Sequence, residues 1–352
     1  MPRPSPTSSM GCPMCGMAFT SGHSPDWRTT HVNAHFGKTP AAEIAQEEQI
    51  THTNIPCQSA PNSTAEMTSD SSVGISNRVR LCTPRVTFHS SLRADASWSC
   101  GYRNFQTLLS SLIHQLPELA TRLHHQVPPV VDIQKYLEAA WKLGYDPVGA
   151  QQLQHQVVHT TKWIGATEVY CLLQSLNVDC HMIDFIGASG QGQTHPLLTD
   201  FVVQYYLGLL PRLPQSGASI RALLEANYGR VAAARQQQTR NASADPPVVL
   251  TDRLPLYLQH QGHSRTIIGY EYTPRGRVNL LVYDPEIMAH QYQRSTHNTT
   301  IPDVLHHVRL TPEMLARNGQ YQIVMANLAE AHPNWDQHRI VHHYNIKLCR
   351  VP

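Results

Sequence analysis

Apolar residues fall into blocks whose spacing changes from helical to extended along the chain. Phe105, Leu108, Leu109, Leu112 and Ile113 recur on one helix face, which predicts a helix over 100–115 that breaks at Pro117, with helical spacing returning over 120–125. Ile133, Leu137, Ala140 and Trp141 predict a second amphipathic helix over 131–143, ended by Gly144. Further helices are predicted over 167–176, capped near Thr167, and over 196–209, with a strand between them over 178–185 that buries one side. Gly144-Tyr145-Asp146-Pro147 reads as a turn. From about residue 248 extended patterns dominate, with strands predicted over 248–250, 256–260, 264–272, 278–283, 320–326 and 340–348. Pro274-Arg275-Gly276 is the turn of a hairpin, and Val79, Leu81, Val86 and Phe88 predict a strand that opens the block. Helices early and strands late imply an α+β fold, with helices packed on a mainly antiparallel sheet from the C-terminal third.

The flanking segments read differently. Residues 1–10 are rich in Pro and Ser, carry no apolar core and read as a disordered N-terminus rather than a secretory signal. Residues 38–78 are polar: 41–50 could form a short acidic helix, and 56–76 read as a flexible linker. Within a folded domain over 79–352, residues 210–248 are polar around a modest helix at 220–234. They read as an insertion that need not join the core, with Arg221, Arg230, Arg235 and Arg240 on a solvated face.

Composition narrows the class. The chain has 352 residues, 41% of them hydrophobic, enough for one sizeable domain plus accessory segments. With 27 basic and 25 acidic residues the net charge is +2, which gives no polyanion-binding signature. No apolar run reaches the roughly 18 residues of a membrane span. The eight cysteines, at 12, 15, 57, 82, 100, 171, 180 and 349, are expected as reduced thiols or metal ligands, which implies a nuclear and cytoplasmic protein.

Four of the ligand-type residues cluster. Cys12-Pro13-Met14-Cys15 supplies two sulfurs from a tight turn, and His31 and His35, four apart, share one face of a short helix. The spacing predicts a C2H2-type zinc finger over 11–37, with Phe19 and Trp27 as its small apolar core. The finger is single, and its helix region offers only Arg28 and Lys38, so direct nucleic-acid binding is not expected. Its Cys-Pro-x-Cys start and His-Val-Asn-Ala-His helix resemble small ubiquitin-binding zinc fingers.

Cys100 stands at the start of the first helix, where free N–H groups favour a thiolate, and Gly101 leaves room for a substrate backbone. Taken alone, a buried structural cysteine is the simpler reading. Downstream, His263 opens one strand of the hairpin and Asp284 closes the next, so antiparallel pairing brings them to neighbouring ends. The aspartate can accept one imidazole N–H and leave the other nitrogen facing the thiol, which is papain-like logic. Gln259 or the backbone N–H of Cys100 could stabilise an oxyanion, and Asp95 lies near the nucleophile without an evident role.

The runs Trp98-Ser99-Cys100-Gly101-Tyr102-Arg103-Asn104-Phe105-Gln106, Tyr257 to Thr266, and Tyr283-Asp284-Pro285 resemble the ubiquitin-fold-modifier-specific peptidase (UfSP) family, and within it the zinc-finger-bearing branch that cleaves lysine-63-linked polyubiquitin. The resemblance spans about 95–350 apart from 210–248. It implies a papain-like cysteine peptidase, with Cys100 as nucleophile, His263 as general base, Asp284 as the orienting residue and Gln259 in or beside the oxyanion hole. The segments 144–147 and 163–170 resemble those that hold the distal ubiquitin in that branch, which implies substrate contacts by Asp146, Trp163 and Glu168. Carboxylates there suit the arginines that precede ubiquitin's terminal Gly-Gly. The expected function is a deubiquitinating thiol isopeptidase with a structural Zn2+ in the finger, none in catalysis, and polyubiquitin as partner. Processing of the ubiquitin-fold modifier and an inactive ubiquitin-binding scaffold are the alternatives.

Overall fold

The computed structural model describes residues 78–210, 217–240, 248–273, 276–287, 308–328 and 348–351. The finger, its four ligand residues, the 41–50 segment, the linker and most of 340–348 lie outside them. The described helices are α1 (Cys100–Gln115), α2 (Pro117–Arg122), α3 (Val130–Lys142), α4 (Pro147–Gln152), α5 (Ala166–Ser175), α6 (Pro196–Tyr206), α7 (Gly217–Ala226), α8 (Tyr228–Arg240) and α9 (Pro312–Leu315). The strands are β1 (Arg78–Leu81), β2 (Cys180–Phe185), β3 (Val248–Leu250), β4 (Leu256–His260), β5 (His263–Tyr272), β6 (Val278–Tyr283), β7 (Arg309–Leu310), β8 (Tyr321–Ala326) and β9 (Leu348–Val351).

One sheet holds all nine described strands in the order β3-β1-β5-β4-β8-β2-β9, with β6 also paired to β5 and β7 to β6. The ten-residue β5 organises it. Residues 263–267 pair with β4 and 269–272 with β1, while 266–272 pair with β6. Strands β4 and β1 therefore lie end to end along one edge of β5, with β6 along the other. The changeover falls at the bulge between Ile267 and Gly269. A Cβ at Gly269 would stand 2.1 Å from the Arg80 carbonyl oxygen, so β1 can pair there only against glycine. Most pairings are antiparallel, and β1–β3 and β2–β9 are parallel.

The sheet is covered on both faces. Phe105, Leu109, Ile133, Leu137 and Leu172 pack on one side with Tyr257 and Val324 of the sheet. Phe201, Val202, Ile220 and Leu224 pack on the other with Leu256, Leu258 and Ile323. Neighbours in β4 and β8 thus enter opposite cores, as the two-residue period of a strand requires. The same holds for β2. Met182 enters the first core and Ile183 the second, so the strand expected to bury one side buries both, because both faces of the sheet are covered there.

Other expectations shift locally. Pro117 does not merely break a helix but opens α2, where a missing N–H costs nothing. The 144–147 turn leads into α4, which Asp146 caps in a left-handed conformation (φ 41°) by accepting from Gly149 N at 3.0 Å. The described part of the 210–248 segment, residues 217–240, joins the core, contrary to its polar composition. Its two helices are α7 and α8, and Ile220 and Leu224 of α7 are fully buried. Gln204 of α6 donates to the Leu224 carbonyl (2.8 Å), and Asn227 donates to Gln204 (3.0 Å) and to the Leu209 carbonyl (3.3 Å). Arg221, Arg230 and Arg235 do lie on the outer side: Arg221 pairs with Glu225 in the open, and Arg235 lies over the Tyr272 ring at 5.2 Å.

If α7 is a core helix, Leu224→Ala should cost about 2–5 kcal/mol in urea unfolding. A change within the small range of surface substitutions, about 0.5 kcal/mol, would return the segment to a peripheral insertion.

Candidate active site

Cys100 is the first residue of α1, 8% exposed, with Ser99 as N-cap. The turn before it is braced from beneath by Asp95, which is fully buried. Asp95 Oδ1 accepts from Leu92 N (2.7 Å) and Ser99 Oγ (2.8 Å), and Oδ2 takes the Arg103 guanidinium one turn into α1. Arg103 also donates to Gln106 Oε1 (3.0 Å), whose amide donates to the Pro128 carbonyl (2.9 Å). Removing one partner of such a buried pair would strand a charge, at about 3–5 kcal/mol. Gly101 serves a different purpose from the one its position suggests. A Cβ there would lie 2.3 Å from the Ile164 carbonyl oxygen, so the space is filled by the 162–165 loop rather than left for a substrate.

The base arrives on β5. His260 and His263 face each other across the two-residue turn Gln261-Gly262, where Gly262 takes φ 81°. Asn104, one turn after Cys100, joins helix to strand. Its amide donates to the Cys100 carbonyl and to Ser264 Oγ, both at 2.9 Å, and its oxygen accepts from Thr266 Oγ1 at 2.7 Å. His263 Nε2 donates to Asp284 Oδ1 at 2.9 Å. Asp284 follows β6 directly. It also accepts from Arg265 Nε (2.7 Å) and from Glu286 N (3.1 Å). The loop after it is tied back to the nucleophile's side by Ser91 N, which donates to the Pro285 carbonyl at 2.8 Å, while Ser91 Oγ meets Ser99 Oγ at 2.9 Å.

Two adjacent histidines are driven apart electrostatically. For His263, burial by itself disfavours the charged ring, but the bonds and charges of Asp284 and Cys100 outweigh it and raise its pKa to about 10. For His260, burial and then the Arg265 guanidinium act together and lower it to about 4. Arg265 Nη1 donates to His260 Nε2 (2.8 Å), so the Nδ1–H of that ring donates to the Gln261 carbonyl (3.0 Å). Asp284 is held below the usual carboxylate range: burial raises it, but His263, Arg265 and the Glu286 N–H prevail. A buried cysteine–histidine–aspartate line with a cationic ring can support nucleophilic attack and proton return to a leaving group.

The remaining predicted residues are placed as follows. Gln259 Nε2 donates to the carbonyls of His260 (2.7 Å) and His263 (3.0 Å), and its oxygen accepts from Tyr257 OH (2.9 Å). As the amide stands, its hydrogens serve the turn that carries His263 rather than open space. Glu168 Oε2 accepts from Gly165 N at 2.8 Å, the reciprocal contact of a capping box at the start of α5. Asp146 and Glu168 crowd the same glycine, Gly149, and burial raises both carboxyls, Glu168 further because of Asp146. Asp146 Oδ2 is buried and unpartnered. Trp163 is half-buried against the helical core, and its Nε1 donates to the Ser97 carbonyl at 3.1 Å. Asn104 and Arg265 escape the sequence reading. Arg265 lies two residues after His263, on the same strand face, and Asn104 lies four after Cys100, so periodicity alone marks both.

A helix that presents a cysteine at its N-terminus to a histidine and an aspartate on an antiparallel sheet is the arrangement of papain-like cysteine peptidases. The model of Peptidase family C78 matches residues 76–324, and the chain belongs to that family. It is 37% identical over 247 residues to zinc finger-containing ubiquitin peptidase 1 of Homo sapiens, covering 70% of this chain and 37% of that protein. The Macaca fascicularis protein of the same name is 38% identical over 237 residues, covering 67% and 35%. Ubiquitin carboxyl-terminal hydrolase mug105 of Schizosaccharomyces pombe is 29% identical over 193 residues, covering 54% and 61%. Among solved structures, UfSP from C. elegans aligns at TM-score 0.35 and 16% identity, covering 69% of this chain and 32% of that one. The chain spans a little over a third of the length of the first two relatives.

Ring-labelled histidine NMR should therefore find one imidazole that keeps its proton to about pH 10 and is lost in His263→Gln, and another that stays neutral down to about pH 4 and is lost in His260→Asn. Ordinary titration of both rings between pH 6 and 7 would contradict the assigned contacts.

Proposed function

We propose that the chain is a thiol isopeptidase that cleaves polyubiquitin, with lysine-63 linkages preferred, after the terminal Gly-Gly. The observation that carries the reading is that Cys100, at the N-terminus of α1, His263 and Asp284 are all buried, with the far nitrogen of the imidazole held by the aspartate at 2.9 Å. Cys100 attacks the glycine carbonyl as a thiolate. Negative charge develops on the carbonyl oxygen, and the N–H of Cys100, at the positive end of α1, donates to it. Gln259 steadies the turn that carries His263.

His263 then gives its proton to the departing lysine amine, leaving a thioester on Cys100. The neutral ring next takes a proton from water, whose attack on the thioester releases a glycine carboxylate and the thiol. Asp284 keeps Nε2 occupied throughout, so the working nitrogen is Nδ1. Asp146 and Glu168 receive the basic residues upstream of the Gly-Gly, and the unpartnered Asp146 Oδ2 is the atom a guanidinium would satisfy. Trp163, its Nε1 tied to the Ser97 carbonyl, offers a fixed apolar face. Cys12, Cys15, His31 and His35 hold a structural zinc, and the finger recruits a further ubiquitin of the chain, so that two weak contacts joined by a tether favour chains over single ubiquitin. The names of the relatives support ubiquitin over the ubiquitin-fold modifier as substrate.

Linkage-defined ubiquitin chains should be cut, lysine-63 chains fastest and longer chains faster than dimers, and Cys100→Ala should reduce turnover by at least about 10³-fold. Release of the ubiquitin-fold modifier from its precursor, with all ubiquitin chains left intact, would move the substrate to the alternative reading. Activity that survives Cys100→Ala would remove the mechanism.

A further inference from the structure

Two histidines stand within reach of one aspartate at the tip of the β4–β5 hairpin. His260 and His263 are opposite each other in the strand register, and their rings lie 5.9 Å apart. Arg265 is two residues beyond His263 and so shares its face of the sheet. Tyr283 pairs with Thr266, so the next step of that register sets Asp284 opposite Arg265. The guanidinium meets both neighbours. Its Nε donates to Asp284 Oδ2 at 2.7 Å, and its Nη1 donates to His260 Nε2 at 2.8 Å. The other carboxylate oxygen, Oδ1, accepts from His263 Nε2 (2.9 Å) and Glu286 N (3.1 Å). His260 Nδ1–H is spent on the Gln261 carbonyl. Two more ionisable groups face this cluster: Tyr321 of β8, with its ring 5.8 Å from that of His260, and Glu286, with Oε1 3.3 Å from His263 Nδ1.

We propose that Arg265 is a positioning residue that commits Asp284 to His263 and withholds it from His260. One planar fork does both, by filling Oδ2 and by placing a donor where His260 would otherwise carry its own proton. Without that fork, Oδ2 is a buried acceptor with no donor, and His260 Nε2 is free to take a proton and bond it. The carboxylate is then shared between two imidazoles, and His263 loses the anchor that fixes its tautomer. The effect is exerted through Asp284, so it falls on kcat rather than on KM. The kinetic consequence rests on the peptidase reading, whereas the sharing of Asp284 does not.

The test compares the full chain as wild type, Arg265→Gln, Arg265→Lys and Arg265→Gln/His260→Asn. Ring-labelled histidine NMR and cleavage of lysine-63-linked tetraubiquitin are the two readouts. In Arg265→Gln the rings should titrate closer together, His260 rising from about 4 and His263 falling from about 10. Arg265→Lys, which keeps the charge without the fork, should move both in the same directions by less. In Arg265→Gln, kcat should fall at least about tenfold with KM changed less than about threefold. Adding His260→Asn should recover at least about threefold of that kcat, a gain that a merely structural role would not produce. Titrations unchanged in both Arg265 variants, or a kcat loss that His260→Asn does not relieve, would overturn the assignment. Absence of turnover in wild type would strike the peptidase reading alone, and the titrations would still decide the role of Arg265.

Discussion

The hydrogen bonds of Asn104 set where the helix that carries Cys100 stands against the strand that carries His263. Three bonds leave one side chain: one back to the Cys100 carbonyl and two across to Ser264 and Thr266 of β5. Asn104, Ser264 and Thr266 are all buried, so sliding the helix would leave several polar groups without partners or water, at about 1–3 kcal/mol each. The apolar contacts of Phe105 and Leu109 with the sheet tolerate small shifts, whereas these bonds do not. The Asp95–Arg103 pair fixes the turn ahead of the helix, and the Ser91–Pro285 contact ties that turn to the loop bearing Asp284. Three chain segments far apart in sequence are thus held to one geometry by polar contacts inside an otherwise apolar fold.

The strand so placed also carries a chemical asymmetry. His260 and His263 sit on either side of one tight turn with rings 5.9 Å apart, yet one faces a carboxylate and the other a guanidinium. Arg265 contacts both partners: it bonds Asp284, which bonds His263, and its other nitrogen adds to burial in keeping His260 neutral. A neutral second histidine beside the first avoids a repulsive pair of cations, so the charged ring is the one aligned with the thiol.

Much of this was legible in the sequence because it is local. The 3.6-residue spacing marked α1, α3, α5 and α6 to within a few residues, and the glycine-containing turn at 274–276 marked the hairpin that brings His263 and Asp284 together. What depends on distant partners was not legible. Gly101 looked like space for a substrate, but the carbonyl of Ile164, sixty-three positions away, fills that space. The polar surroundings of α7 hid Ile220 and Leu224, whose partners lie on α6 and the sheet. Strand β2 looked half-buried because alternation reports one covered face, while helices on both faces come only with the assembled sheet. Gln259 was read from its distance to His263 along the chain, and only the turn geometry shows that its amide serves the carbonyls of His260 and His263.

Capture by a ubiquitin that ends in an electrophile tests the central claim most directly, because it needs both recognition of the modifier and an activated sulfur. The account predicts a single covalent adduct at one equivalent, mapped by peptide mass spectrometry to Cys100 and absent in Cys100→Ser and His263→Gln. Ubiquitin bound without covalent capture, or an adduct on another cysteine that persists in Cys100→Ser, would contradict it.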